Sequence, residues 1–301
     1  MWGSSCPPTL IGRARVVPLP PLFVGGMTPR LLSVRLPIYP SRGVMGAMTT
    51  SINTLLEGGD HLIPPIDHPT PQDPHMPSTC RISPCTFLKF NTSSTMATKI
   101  QEFSRLRETL KLRSTIEAFV TVSASLAQSL AEILSQILGI KSTYFQENCP
   151  PNTSYLRLNR YPPCPFPYKA FGLMPHTDSS FLTILYQDHV GGLQLMKDGK
   201  WFRVKPNPQA LVINIGDLFQ ALSNDVFKSI KHRVVSSEEV ERFSVAYFYC
   251  PSNNAVIQSC CSTKRLLPAV YRHFSFREYQ QQVRKDVEAT GDKVGLSRFL
   301  L

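Results

Sequence analysis

The chain has 301 residues, 42% of them hydrophobic, enough for one large domain or two small ones with a sizeable buried core. Its net charge of +11 is spread along the chain, with eight Lys and Arg against four Asp and Glu in residues 1–100 and 24 against 17 thereafter. No basic stripe interleaved with aromatics occurs, which argues against a nucleic-acid-binding surface and fits a basic pocket for acidic small molecules.

Residues 1–103 differ from the rest. The first hundred hold 15 of the 26 prolines and no acidic residue before Glu57. Runs such as Pro18-Leu-Pro-Pro21 and Pro64-Pro65 break helix and strand periodicity, so this region is expected to be irregular and largely disordered. Its acid-free, Arg-bearing start superficially matches a transit peptide, but the proline content argues against one. His61, His68 and His75 recur every seven residues, yet the prolines between them forbid a connecting helix.

A helical lead-in is expected over residues 104–140. Ser114-Thr-Ile-Glu117 reads as a capping box with Ser114 at the N-cap. Behind it Ile116, Phe119, Val120, Leu126, Leu130, Ile133, Leu134, Ile137 and Leu138 follow helical spacing, and Gly139 supplies a stop. The stripe suits burial against a sheet. Ser123, Ser125, Gln128, Ser129, Glu132, Ser135 and Gln136 interrupt it, which argues against a membrane span.

From Ser154 the pattern turns to short strands. Tyr155–Leu158, Leu182–Tyr186, Leu193–Met196, Trp201–Val204, Leu211–Ile215, His232–Val235 and Ser244–Cys250 are β-rich, with Gly191-Gly192 and Asp198-Gly199 as hairpin signals. Such even spacing predicts a sandwich or jelly roll, mainly β with flanking helices and a core over about 154–258. Phe274–Val287 reads as a C-terminal helix. The eight cysteines (6, 80, 85, 149, 164, 250, 260 and 261) form no paired framework and no CxxC, so free thiols in a reducing compartment are expected.

Within the β-rich part stands His176-Thr-Asp178, and 54 residues beyond Asp178 comes His232. If Phe181–Tyr186 continues a strand begun near His176, positions i and i+2 project to one side, so one segment supplies two ligands and a distant strand the third. Two imidazoles and one carboxylate leave adjacent metal positions open, which suits non-haem Fe(II). Arg242 and Ser244, again at i and i+2, can grip one carboxylate, because arginine offers a bidentate, charge-assisted pairing. Taken singly, His-x-Asp is a weak signal, His232 could be a core histidine and Arg242 a surface charge. The order and spacing of the whole set favour the metal site.

Asn159-Arg-Tyr-Pro-Pro-Cys-Pro165, His176-Thr-Asp178, Asp188-His-Val-Gly-Gly-Leu-Gln-Leu195, Asn214-Ile-Gly-Asp217, Ser223-Asn224, His232-Arg-Val234 and Arg242-Phe-Ser244 occur in this order. Together they resemble the plant soluble 2-oxoglutarate/Fe(II)-dependent dioxygenases over roughly residues 104–301. Lys197-Asp-Gly-Lys-Trp201, Ala246-Tyr-Phe-Tyr-Cys-Pro251 and the tail Thr290–Leu301 resemble the gibberellin 2-beta-dioxygenases that act on twenty-carbon gibberellins.

The resemblance implies a double-stranded β-helix core and Fe(II) held by His176, Asp178 and His232. It implies 2-oxoglutarate as co-substrate, its far carboxylate on Arg242 and Ser244, Tyr161 hydrogen-bonding to it, and Asn159 near its metal-binding end. Ascorbate would be supportive. Asn214 and Asp217 are read as fold support, capping the turn after a buried strand, and Ser223-Asn224 as structural. The implied activity is 2-beta hydroxylation of a gibberellin, a small carboxylic acid, which inactivates the hormone. A monomeric, cytoplasmic enzyme with no nucleic-acid or membrane partner is expected, with the nucleus as a second location. The alternatives are the same chemistry on another plant metabolite, such as a flavonoid or another gibberellin carbon, and a truncated, non-catalytic remnant. The last arises because residues 1–103 lack the family's usual N-terminal strands, as a truncated or mis-spliced product would.

Overall fold

The computed structural model describes residues 107–301 apart from 142, 166–170 and 261–267, together with two short strands nearer the N-terminus. Those strands are β1 (Val24–Gly25) and β2 (Thr86–Asn91). Helices α1 (Arg107–Leu138) and α2 (Tyr144–Asn148) follow, then β3 (Tyr155–Tyr161), β4 (Phe171–His176), β5 (Leu182–Gln187), β6 (Leu193–Lys197), β7 (Lys200–Arg203) and β8 (Val212–Ile215). After α3 (Asp217–Leu222) come β9 (His232–Val235), β10 (Arg242–Tyr249), β11 (Val256–Ile257), β12 (Phe274–Ser275) and α4 (Phe276–Thr290).

Two antiparallel sheets form the jelly-roll core. The major sheet runs β1-β8-β5-β10-β3-β2 and the minor sheet β4-β9-β6-β7, with only the two-residue β1 pairing parallel. Every residue of β5 and β10 is buried, because α1 covers one face of these central strands and the minor sheet lies across the other. Alternation sorts β3 in the same way. Leu156 and Leu158 enter the hydrophobic core, while Arg157, Asn159 and Tyr161 line a cavity between the sheets.

Helix α1 buries Ile116, Phe119, Leu126, Leu130 and Leu134 of the expected stripe together with Ala127 and Ala131, whereas Ile137 at its end is exposed, and Gly139 ends it in a left-handed conformation. Its start differs from expectation. The helix begins at Arg107, so Ser114 lies inside it rather than at the N-cap, and Glu117 instead accepts from Arg113 Nε at 2.9 Å, one turn back. Segment Arg113–Leu138 is also long and apolar enough to cross a membrane by length and composition. The interrupting Ser and Gln residues are uncharged, so they weaken its apolar character less than the sequence reading allowed. Below the helix, Phe145 of α2 meets Phe181 edge-on at 5.1 Å and stacks on Phe219 at 5.8 Å, tying both helices to the sheet.

Of the two hairpin signals, one forms and one does not. Asp198 (φ 49°) and Gly199 (φ 73°) do form the β6–β7 hairpin, since a two-residue turn of this hand needs positive φ at both positions. Gly191-Gly192 is no hairpin, because β5 belongs to the major sheet and β6 to the minor one, and the pair instead carries the chain between sheets. A Cβ on Gly192 would stand 2.3 Å from the Val235 carbonyl oxygen, so this crossing requires glycine. The C-terminal helix runs from Phe276 to Thr290, later than expected, with Ser275 Oγ accepting from the Glu278 amide at 3.1 Å. Strands β1 and β2 fall in the region read as irregular; the rest of residues 1–103 lies outside the described residues.

Candidate active site

The site is built where the edge of the minor sheet meets the major sheet. Strand β4 ends on His176, which pairs directly with His232 of β9, and Leu195 of β6 flanks His232 on its other side. Asp178 is not on that strand. It lies in the bend between β4 and β5, so two ligands on one continuous strand is an expectation the fold does not meet. Pro175 and two irregularities in β4 end the pairing at His176, and the chain then turns back toward the cavity.

The turn nevertheless brings the three side chains together. One candidate ligand atom from each of His176, Asp178 and His232 lies within 4.8 Å of the others. Asp178 Oδ1 is 3.8 Å from His176 Nε2 and 3.7 Å from His232 Nε2. Each imidazole is oriented from behind. His176 Nδ1 lies 2.7 Å from the Met174 carbonyl oxygen and His232 Nδ1 lies 3.0 Å from that of Ile230. A carbonyl can only accept, so Nδ1–H donates in both rings, and Nε2 is the atom each ring turns toward Asp178. Burial, reinforced by His232, pushes the His176 pKa down to about 3. Burial opposes ionisation of Asp178, but His232, His176, the Thr183 hydroxyl and Lys293 together hold the carboxyl below its usual range. A neutral imidazole beside an ionised carboxylate is a donor set for a divalent cation.

Across the cavity, β10 and β3 pair so that Arg242 stands opposite Tyr161 and Ser244 opposite Asn159. Asn159 Nδ2 donates to Ser244 Oγ at 3.1 Å. Arg242 is 1% exposed, its guanidinium lies 4.8 Å from the centre of the Tyr161 ring, and Nη2 donates to Gln187 Oε1 at 3.1 Å. Its Nε and Nη1 have no hydrogen-bond partner among the described residues. A buried cation with two unmet donors is costly unless an anion completes it, and planar geometry favours a carboxylate. The residues therefore fit both Fe(II) and a co-substrate carboxylate.

All seven residues singled out in the sequence, His176, Asp178, His232, Asn159, Tyr161, Arg242 and Ser244, line this one cavity. The sequence reading missed three others. Asn214 Nδ2 reaches Asp178 Oδ2 at 3.5 Å, so Asn214 faces the site rather than capping a turn. Thr183 hydrogen-bonds the Asp178 carboxylate, and Gln187 holds Arg242. The Asn-Ile-Gly-Asp motif flagged Asn214, and the i, i+2 facing of β5 toward the cavity could have flagged Thr183. Asp217 caps nothing either: α3 has Gly216 at its N-cap with no side-chain bond, while the Asp217 carboxylate reaches across to Thr177, Tyr279 and Lys293.

Comparison with known proteins agrees with this geometry. The 2OG-Fe(II) oxygenase superfamily profile matches residues 152–251. Gibberellin 2-beta-dioxygenase 8 of Arabidopsis thaliana is 62% identical over 189 residues, 63% of this chain and 54% of that protein. Gibberellin 2-beta-dioxygenase 6 of rice (Oryza sativa subsp. japonica) is 48% identical over 191 residues, 62% of this chain and 52% of its own length. The chain thus spans about half the length of these curated relatives. Among solved structures, the rice dioxygenase for auxin oxidation superposes with a TM-score of 0.68 at 25% identity, covering 87% of each chain. JOX2 in complex with 2OG, Fe and JA gives 0.60 at 33% identity, over 66% of this chain and 60% of that one. The cavity that gathers the His-Asp-His set and Arg242 lies within residues 152–251, the stretch of this chain that matches the 2OG-Fe(II) oxygenase superfamily.

Proposed function

We propose that this chain is a 2-oxoglutarate-dependent oxygenase that hydroxylates a gibberellin at the 2-beta position and so inactivates the hormone. The observation that carries the chemistry is the buried Arg242 guanidinium, with Nε and Nη1 unpaired, in the same cavity as His176, Asp178 and His232. The substrate class rests on the 62% and 48% identities to gibberellin 2-beta-dioxygenases.

His176 Nε2, Asp178 Oδ1 and His232 Nε2 would hold Fe(II), with Arg242 and Ser244 receiving the far carboxylate of 2-oxoglutarate. Iron with 2-oxoglutarate and dioxygen supplies the oxidising chemistry, releasing succinate and CO2 as the substrate is hydroxylated. The protein contributes position. Gln187 and the Tyr161 ring fix the guanidinium plane, so the co-substrate meets a preformed cation rather than one it must order. Asn159 ties Ser244 to β3 and keeps the hydroxyl beside that cation. Leu173, Leu185, Leu193, Val234 and Phe248 supply the apolar part of the wall, beside the polar Arg157, Thr183 and Asn214, and limit water at the reacting carbon.

The test is turnover by the full chain with Fe(II), ascorbate, 2-oxoglutarate and a twenty-carbon gibberellin, with product position read by mass spectrometry and NMR. Succinate matched by 2-beta-hydroxylated gibberellin is expected. Oxidation of a flavanone or of another gibberellin carbon at a higher kcat/KM would reassign the substrate. Absence of 2-oxoglutarate turnover with any of them would overturn the enzyme reading.

A further inference from the structure

The tail after α4 reaches the loop that carries the metal-binding residues. Gly291 and Gly295, both left-handed, bracket a short segment whose Lys293 side chain points inward with 11% exposure. Its ammonium has three donors and finds three acceptors: the Thr177 carbonyl oxygen at 2.8 Å, Ser179 Oγ at 2.9 Å and Asp217 Oδ2 at 2.8 Å. Thr177 and Ser179 immediately flank Asp178. Asp217 closes the arrangement, accepting from Thr177 Oγ1 at 2.9 Å and from the Tyr279 hydroxyl, while its amide donates to the Asp178 carbonyl oxygen at 2.8 Å. The tail is itself held down, because Phe299 is buried against Phe274 at 4.3 Å and Tyr279 at 5.5 Å between ring centroids.

We infer that Lys293, paired with Asp217, is a positioning residue that sets the metal centre by fixing the Thr177–Ser179 bend on which the Asp178 carboxylate is presented. This rests on the proposed His176, Asp178 and His232 site. The strand does not do this work, since β4 has already ended at His176. Strand pairing fixes the two histidines, and the carboxylate is fixed by a cation delivered from a segment 114 residues away in sequence from Ser179. Outer partners of this kind typically change metal affinity by about 10–100-fold when removed.

The experiment measures Mn(II) affinity of the metal-free full chain by calorimetry and the Co(II) absorption spectrum, alongside the melting temperature. Lys293→Met should weaken Mn(II) by about 10–100-fold and alter the Co(II) bands, and Lys293→Arg should recover part of both. Lys293→Met leaves the Asp217 carboxylate buried without its cation, so the Lys293→Met/Asp217→Asn pair is measured too. If it melts like the wild type, weakened Mn(II) in it supports the inference and unchanged Mn(II) overturns it. Wild-type affinity and spectrum in a folded Lys293→Met chain overturn the clamp alone. A wild-type chain that binds Mn(II) no better than His176→Ala overturns the metal site beneath it, which is a separate result.

Discussion

His176 and His232 are direct cross-strand partners in the minor sheet, with ring centroids 4.3 Å apart. Opposed residues in an antiparallel pair have Cβ atoms only about 4.5–5.5 Å apart, so one register fixes both imidazoles at once. The consequence reaches beyond the pair. A one-residue slip of β9 would turn His232 to the opposite face and leave Arg233 in its place. Arg233 is itself pinned outside, its guanidinium 4.1 Å from the Trp201 ring centre and 4.9 Å from that of Phe171, which guards the register.

The carboxylate is the ligand whose loss is tested most cleanly. Asp178→Ala removes the anion facing both Nε2 atoms yet leaves each imidazole anchored through Nδ1 to its own strand. Mn(II) binding measured by calorimetry should disappear, and 2-oxoglutarate turnover with it, while the metal-free protein melts close to the wild type. Retained turnover would remove Asp178 from the site.

Arg242 separates co-substrate binding from hormone binding. Hydrogen bonds to charged groups contribute about 1.5–3 kcal/mol, and tenfold in affinity is about 1.4 kcal/mol. Arg242→Ala should therefore weaken 2-oxoglutarate by about ten- to a hundredfold, with Arg242→Lys intermediate because lysine keeps the charge but loses the fork. An effect confined to the KM for the hormone would assign Arg242 to the other substrate.

The legibility of this site in the sequence divides by physical cause. Arg242 and Ser244 were readable from their i, i+2 spacing, whereas the roles of Asn159 and Tyr161 came from the family resemblance, since the strands read as Tyr155–Leu158 and Ser244–Cys250 extend in the fold to Tyr161 and back to Arg242. Strand β4 was not, since Gly172 and Pro175 read as breakers; proline is tolerated there because β4 is an edge strand of the minor sheet. Asp178 was read as standing on a strand with His176, whereas it lies in the connection after β4, for the same reason. The Lys293 and Asp217 pair joins positions 76 apart in a chain with 32 Lys and Arg, and no local pattern distinguishes it. Helix α3 was missed because five of its six residues are buried, which erases the polar face that periodicity needs.

Gly216 tests how closely the fold packs behind the ligand loop. A Cβ there would stand 2.1 Å from the Ser180 carbonyl oxygen, so either the β8–α3 junction or the bend after Asp178 must move. Gly216→Ala should cost about 1–3 kcal/mol, the usual range for overpacking, seen as a lower midpoint in urea. It should also weaken Mn(II) binding, because Ser180 lies two residues from Asp178. A variant with wild-type stability and metal affinity would mean that the loop yields freely.

Alkaline pH should unfold this protein through its buried phenols. Burial pushes the pKa of Tyr247 up to about 12 and raises those of Tyr144, Tyr155, Tyr249 and Tyr271 further. Burial, and then the adjacent Asp217 carboxylate, holds Tyr279 well above its ordinary value. A folded-state pKa above the unfolded one means that the native chain keeps the proton longer. These groups therefore leave stability untouched below about pH 10, the ordinary phenol value, and reduce it as pH rises through their native values. Tyrosinate absorbance followed against pH, with far-ultraviolet circular dichroism in parallel, should show the buried tyrosines ionising together with loss of the β signal. Ionisation of most of the ten tyrosines near pH 10 in a protein that keeps its circular dichroism would show that these phenols are open to solvent.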